Sequence, residues 1–458
     1  MMLSYDFPRV SPSRLPRFLQ VLVAGLCLAA AAACAAPGAT GTAAGYYLDS
    51  AAGSDDNPGT RERPWKSIER ANRAVLKPGE GLYFARGRSW AGALRVAQSG
   101  TERQPIVVSS YGKGRAPRLS NPFHAWSMGR VIEVFGSHVV VENLYLHDTP
   151  TPPPDNPPVP WKESAQHRGV TQLAALFVDR GAQRVTVRNN EFVNTPVGVR
   201  VRGAHSRVVN NLFRDSGKIT EQWGAIAVSI VGPHNEVAYN RMQNIGFYGG
   251  IYVNDGAAVE LDGEDPEYDA HDIHVHHNVS FDVKGGFLEI AGRSQNVLIE
   301  HNLSVDVDKF VGGTNVRNVR ILNNTIVRLS LPNFPESDFF PLGTVFWSFN
   351  DKGIDGFEVA NNLFVLDGRQ RLYKSAAHPL GIVPEKRANN LYTTPNGDVP
   401  TMLGGPLAPT EVAAPVQFVD EQAEDYRPRL PAPRAAAGYF GAFAPGQPAW
   451  KAGLVTAD

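Results

Sequence analysis

The sequence predicts an all-β chain wound into a right-handed parallel β-helix, a solenoid opened by a short N-terminal capping helix. First, an Asn recurs one or two places before an apolar residue, at Asn143, Asn190, Asn211, Asn240, Asn278, Asn302, Asn324, Asn362 and Asn390. The steps Asn190 to Asn211, Asn278 to Asn302 and Asn302 to Asn324 span 21, 24 and 22 residues. That period is one coil of a solenoid, a unit that buries its apolar face only against its neighbours. Second, the intervals hold short runs in which apolar and polar residues alternate, the pattern of strands buried on one face. Third, 44 Gly and 35 Pro among 458 residues supply turns at a density that suits many short strands better than long helices.

Residues 1–35 read as a signal peptide. Arg9, Arg14 and Arg17 precede an apolar run from Phe18 to Ala33, and Ala33-Cys34-Ala35 fits a small-x-small cleavage site. The expected location is therefore outside the cytoplasm, periplasmic or extracellular. A lipid anchor at Cys34 is the alternative, against which stands Ala31 where such sites usually carry Leu. Both cysteines, Cys27 and Cys34, fall in this segment, so the mature chain is expected to hold together by packing without a disulfide. No later segment approaches the roughly 20 apolar residues that cross a bilayer, and no transmembrane segment is expected.

Residues 45–125 read as an N-terminal cap and the first coils. Pro64, Trp65, Ile68, Ala71 and Val75 predict one short amphipathic helix with Pro64 in its first turn, where the missing N–H costs nothing. Strand-like runs follow at 81–84 and 105–110. Residues 126–392 carry the repeat, interrupted at 150–169, 263–272 and 331–343 by stretches of Pro, Gly and acidic residues that read as loops projecting from coil corners. Residues 393–458 read as a closing segment. Asn suits the corners because it tolerates unusual backbone angles and its amide can bond the equivalent amide one coil away.

The segment from Asp49 to Thr60, then Pro64-Trp65-Lys66-Ser67-Ile68, Tyr83-Phe84-Ala85-Arg86-Gly87 and Tyr111-Gly112, resembles the entry region of the pectate-lyase-like right-handed parallel β-helix superfamily. Pro415 to Asp420, with Asp425-Tyr426-Arg427 and Gly438-Tyr439-Phe440-Gly441, is similar to how such proteins close. The resemblance implies the fold and a carbohydrate-active role. It does not select a reaction, because that superfamily hosts lyases, hydrolases, epimerases and non-enzymatic domains.

Aligning one strand of successive coils gives 132–134, 176–178, 199–201, 228–230, 259–261 and 288–290. The flanking aliphatics point inward, and the middle residues form an outward column of Glu133, Phe177, Arg200, Ser229, Glu260 and Glu289. Two residues on, the same face carries Phe135, Asp179, Arg202, Val231, Asp262 and Ala291. Adjacent strands lie about 4.8 Å apart, so Glu260 and Glu289 are expected side by side, one protonated and one ionised because like charges repel. That is the acid and base division of glycoside hydrolysis, with Asp262 and Asp255 as further acidic members. Trp223, Tyr248, Tyr252 and Trp347 are candidate platforms for sugar rings, with Trp161 on a loop wall. Arg200, Lys284 and Arg293 are candidate cationic contacts. His271, His274, His276 and His277 cluster beside Asp272, but metal binding there needs a third convergent ligand that the sequence does not show.

With 44 Lys+Arg against 45 Asp+Glu and no basic stripe, no nucleic-acid partner is expected. The expected function is cleavage of a polysaccharide or oligosaccharide, with a slight preference for glycoside hydrolysis without a cofactor. One alternative is a polysaccharide lyase in which Asp255, Glu260, Asp262 and Glu289 bind Ca²⁺ and Lys284, Arg293 or Arg200 abstracts a proton. The other is a non-catalytic glycan-binding or envelope solenoid.

Overall fold

Each coil is a strand, a turn, a second strand, a corner and a third strand, as in Ile226–Ile230, Glu236–Ala238 and Arg241–Ile245. The computed structural model describes residues 44–122, 129–150, 157–160, 163–164, 171–249, 254–263, 270–313, 316–328, 344–348, 354–368, 371–375, 386–395, 397–429, 433, 435 and 438–454. Cys27, Cys34 and the rest of 1–35, Trp161, Tyr252, segment 331–343 and parts of 150–169 and 263–272 lie outside these residues. Stacking pairs equivalent strands in parallel, and the described residues build three long sheets. The first has 10 strands from Leu94–Val96 to Arg371–Ser375, the second 13 from Gly45–Leu48 to Lys386–Ala388, and the third 12 from Ser89–Ala91 to Val412–Ala413.

The inward positions merge into a continuous apolar cluster that takes in Leu48, Leu94, Ile132, Leu176, Val199, Val228, Val259, Leu288 and Leu403. Phe192 stacks on Phe213 at 4.7 Å and Phe287 on Phe310 at 5.0 Å, each pair adding about 0.5–1.5 kcal/mol beyond its buried area. The corner asparagines form a second, polar ladder. Asn190, Asn211, Asn240, Asn278, Asn302, Asn324, Asn362 and Asn390 are buried, and from Asn211 onward each takes the backbone N–H of the Asn before it on its side-chain oxygen. Glu411 ends the series by accepting from Asn390 Nδ2 at 2.9 Å.

Asn143 corrects the sequence reading. The ladder position in its coil is Leu144, whose N–H donates to Asn190 Oδ1 at 3.1 Å. Asn143 instead occupies the preceding corner position with φ +62, alongside Asn189, Asn210, Tyr239, His277, His301, Asn323, Asn361 and Asn389. The two properties that recommend Asn, left-handed backbone and amide stacking, are thus divided between neighbouring residues.

The N-terminal helix is a single turn, Ile68–Ala71, with Ser67 as N-cap. Pro64 precedes it, its carbonyl accepting from Ser54 N–H and Asn57 Nδ2, and Val75 is 72% exposed and takes no part. No described helix is long and apolar enough to cross a membrane.

Candidate active site

The outward column of the first sheet runs in register as Arg95, Glu133, Phe177, Arg200, Ser229, Glu260, Glu289, Gly312 and Trp347. Glu260 and Glu289 are therefore direct neighbours, with Asp262 opposite Ala291 two residues further on. The column is not the open face that the alternation predicts. Phe177, Arg200 and Ser229 are at most 2% exposed; Leu173, Ala174, Ile219 and the part-buried Trp223 cluster with Phe177, and the Leu173 carbonyl bonds Arg200. Glu260 and Glu289 are part-buried and continue this column beyond the covered stretch.

Burial drives the Glu260 carboxyl well above the usual carboxylate range; Asp262, Glu289 and Asp255 push it further, and Arg200 opposes them. Arg200 lies under the cover, its Nε donating to the Leu173 carbonyl at 3.1 Å and its guanidinium 3.5 Å from Asp262. Arg130 stacks over Phe177 at 3.6 Å and pairs with Glu133 at 3.0 Å, and the charges of Arg200 and Arg202 act on it.

Asp255 closes a two-residue hairpin, Phe247–Tyr248 with Asn254–Asp255, and accepts from the N–H groups of Gly224 and Gly256, both at 2.8 Å. Burial raises its carboxyl pKa against those bonds and against Lys309. Lys309 and Asp308 are functional candidates that the sequence reading missed. The Lys309 ammonium lies 3.7 Å from Glu289 and 3.6 Å from Asp308, and donates to the Gly285 carbonyl at 2.6 Å. Burial alone lowers a lysine, but here Asp308, Glu289 and Asp255 outweigh it and hold the ammonium above its ordinary pKa. Gly286, at φ +114, makes room for this: a Cβ there would meet the Lys309 carbonyl at 2.2 Å.

The turn bearing Asp308 and Lys309 is clamped from behind. Arg328 donates to the Ser304, Val327 and Lys309 carbonyls at 3.0, 2.8 and 3.3 Å, and also to the Asp308 carbonyl. Asp306 accepts from Ser280, Ser304 and the Val283 N–H. A column extended one coil beyond Glu289 would have brought the Asp-Lys pair into view opposite Gly285-Gly286.

Other candidates lie apart. The Lys284 ammonium pairs with Asp282, and lies 3.5 Å from Asn244 Oδ1 and 5.3 Å from the Tyr248 ring centroid, at the corner leaving the third sheet. Arg293 is exposed just past the strand Leu288–Gly292. Trp347 is buried, with the Lys309 ammonium 5.9 Å from its ring centroid. His274 and His276 do share a face, rings 4.0 Å apart, but on the second sheet, where they meet Glu300 at 2.9 Å and Glu236 at 3.3 Å.

Among the described residues, Asp255, Glu260, Asp262 and Glu289 do not bring three donor oxygens within 4.8 Å of one another. As arranged they do not fit a calcium shell, and the Lys309 ammonium supplies positive charge beside Glu289.

No protein-family model matches the sequence, and no curated protein matches it significantly. Among solved structures it is similar to a rhamnogalacturonan lyase, with 16% identity over 87% of this chain and 96% of that one and a TM-score of 0.54. It is also similar to XylC in complex with xylose (10% identity, 76% and 75% covered, TM-score 0.51) and to pectate lyase Pel9A (13%, 88% and 97%, 0.50). At such identities the likeness is one of fold, and the fold is the right-handed parallel β-helix.

Proposed function

We propose that this chain is a carbohydrate-active enzyme that cleaves glycosidic bonds of a polysaccharide outside the cytoplasm, with Glu260 as proton donor and Glu289 as its ionised partner. The observation that carries this reading is the register that sets the part-buried Glu260 directly beside Glu289, with Asp262 two residues on, so that desolvation and like charge push its carboxyl well above the usual range. A protonated acid beside an ionised one is what departure of a sugar oxygen requires: one delivers the proton, and the other attacks or activates water. Lys309 keeps a positive charge 3.7 Å from Glu289, which favours the ionised form of that partner.

Elimination would instead need a neutral base next to the sugar's acidic proton. Lys284 is engaged by Asp282, Arg200 by Asp262, and the carboxylates around Lys309 hold it protonated. One observation favours elimination as the second reading: Arg130 and Arg202, both part-buried, are close enough for their charges to interact and would neutralise a uronate, whereas Arg200 is covered.

The test is purified protein against a panel of neutral and acidic polysaccharides, with Glu260→Gln beside it. Hydrolysis releases reducing ends without ultraviolet absorbance, and Glu260→Gln lowers the rate by about 10²–10⁴-fold. Products that absorb in the ultraviolet carry the double bond of elimination and would replace this reading with the second. Full activity in Glu260→Gln would contradict both the role of the residue and the site. Cell fractionation of the full chain tests export.

A further inference from the structure

We propose that His234, His271 and Asp272 form a binding site for a divalent transition-metal ion of the zinc type, at a coil corner of the second sheet. The site is independent of the cleavage reading. The ligand missing from the sequence cluster comes from the preceding coil. His234 Nδ1 lies 3.6 Å from Asp272 Oδ2, and His271 Nδ1 lies 2.6 Å from the same oxygen. All three donors are within 4.8 Å of one another, and among the described residues this is the trio for which that holds. In a tetrahedral shell with bonds of about 2.0–2.1 Å, donors stand roughly 3.3 Å apart, so small side-chain rotations close the trio around one ion.

The backbone holds the trio rigidly. His234 N–H donates to the His271 carbonyl at 2.9 Å, which locks the two coils in register. His234 and Asp272 occupy equivalent corner positions with φ +56 and +54. The His234 ring stacks on His205 at 4.7 Å with planes 3° apart, which fixes its orientation. Asn296 Nδ2 donates to Asp272 Oδ1 at 2.9 Å and is itself bonded by Asn318 at 2.8 Å, so the other carboxylate oxygen turns to the imidazoles. Such outer bonds orient metal-binding carboxylates. Two imidazoles and one carboxylate suit Zn²⁺ and its neighbours rather than Ca²⁺ or Mg²⁺, and with the side chains 22–42% exposed, water can complete the shell. An ion here would fasten the start of the strand His271–His276, the next described strand after Ala257–Gly263, which carries Glu260 and Asp262.

The test uses the full chain without an affinity tag, stripped of metal. Zn²⁺ is titrated by calorimetry, and Co²⁺ by the visible absorption that reports coordination geometry. His234→Asn and Asp272→Asn keep a residue that tolerates the left-handed corner, and Asn296→Gly, which tolerates its own corner at φ +57, removes the amide that bonds Asp272 and accepts from Asn318. His277→Asn, at a corner one position from the neighbouring histidines, is the control. The expected result is one ion per chain, with a metal-dependent rise in Tm. His234→Asn and Asp272→Asn should lose at least tenfold in affinity, Asn296→Gly about 10–100-fold, and the control nothing. Absence of saturable binding by the unaltered chain, or unchanged binding in both ligand variants, overturns the proposal. So does loss of binding in the control.

Discussion

Replacing Asn278 with alanine probes the ladder that holds the coils in register. Its side-chain oxygen accepts from the Asn240 backbone N–H at 3.0 Å and from Asn240 Nδ2 at 3.1 Å. Its amide nitrogen donates to Val237 O, His276 O and Asn302 Oδ1 at 2.8, 3.0 and 3.0 Å. In Asn278→Ala, Asn240 Nδ2 keeps Val208 O at 2.7 Å and Asn302 Oδ1 keeps the residue-278 N–H at 2.9 Å. The Val237 carbonyl stays in the ladder with the strand His271–His276, whereas the Asn240 N–H loses its partner beside side chains that are fully buried. At about 1–3 kcal/mol for one orphaned buried group, the cost is about 1–3 kcal/mol. Native-state hydrogen exchange reads this locally and needs no two-state assumption, which a repeat array would strain. The Val279 amide, bonded to the Asn240 carbonyl at 2.9 Å, is not itself disrupted, and should exchange from roughly 5-fold to roughly 150-fold faster. Glu191→Gln, which breaks the part-exposed 2.7 Å pair with Arg214, should cost less than about 1 kcal/mol. Exchange in Asn278→Ala no faster than in that control would refute the view that the ladder is a dry, obligatory network.

Lys309→Met leaves the part-buried Glu289 and Asp308 without their shared ammonium, and denaturant unfolding should show a loss of about 3–5 kcal/mol; a loss under about 1 kcal/mol would mean that water screens the site. The folded Glu260 keeps its proton at pH values where the unfolded chain has released it, so its contribution to stability is full below the usual carboxylate pKa and declines as pH rises toward the folded value. Glu260→Gln should remove that decline, and denaturation curves that stay parallel to the unaltered chain across pH would exclude it. Burial, with His301, His276 and His274 nearby, lowers His277 to about 4, and its ring packs 5.2 Å from Trp450. The unfolded chain therefore binds the extra proton between about pH 6.5 and 4, and stability falls as pH drops through that window. His277→Asn should flatten Tm across it, with Trp450 fluorescence as the local readout.

The fold was legible because its signals are local and repeated: aliphatic residues on both sides of each outward position, and one asparagine per corner. The register of 132–134, 176–178, 199–201, 228–230, 259–261 and 288–290 follows from alternation alone, and the pairing agrees strand by strand. Solvent exposure did not follow. Whether Phe177 meets water depends on Leu173, Ile219 and Trp223, which belong to connecting segments that carry no periodic signal. The Glu260 and Glu289 adjacency was readable for the same reason as the register. Lys309 was not, because its role comes from a turn geometry that Gly286 permits and Arg328 enforces. The histidines were visible as a cluster, but His234, which sits beside Asp272 only once coils stack, stands far from them in sequence.

The pairing of Glu260 with Glu289 is tested most directly by an infrared titration of protein labelled with ¹³C at glutamate carboxyls. The label separates Glu260 from Asp255 and Asp308, whose carboxyls burial also raises. One labelled C=O band should persist above the pH at which ordinary glutamates have ionised, vanish in Glu260→Gln, and titrate at lower pH in Glu289→Gln, where the neighbouring charge is gone. A spectrum in which every glutamate ionises near its usual value of about 4.3, or a persistent band indifferent to both substitutions, would contradict it.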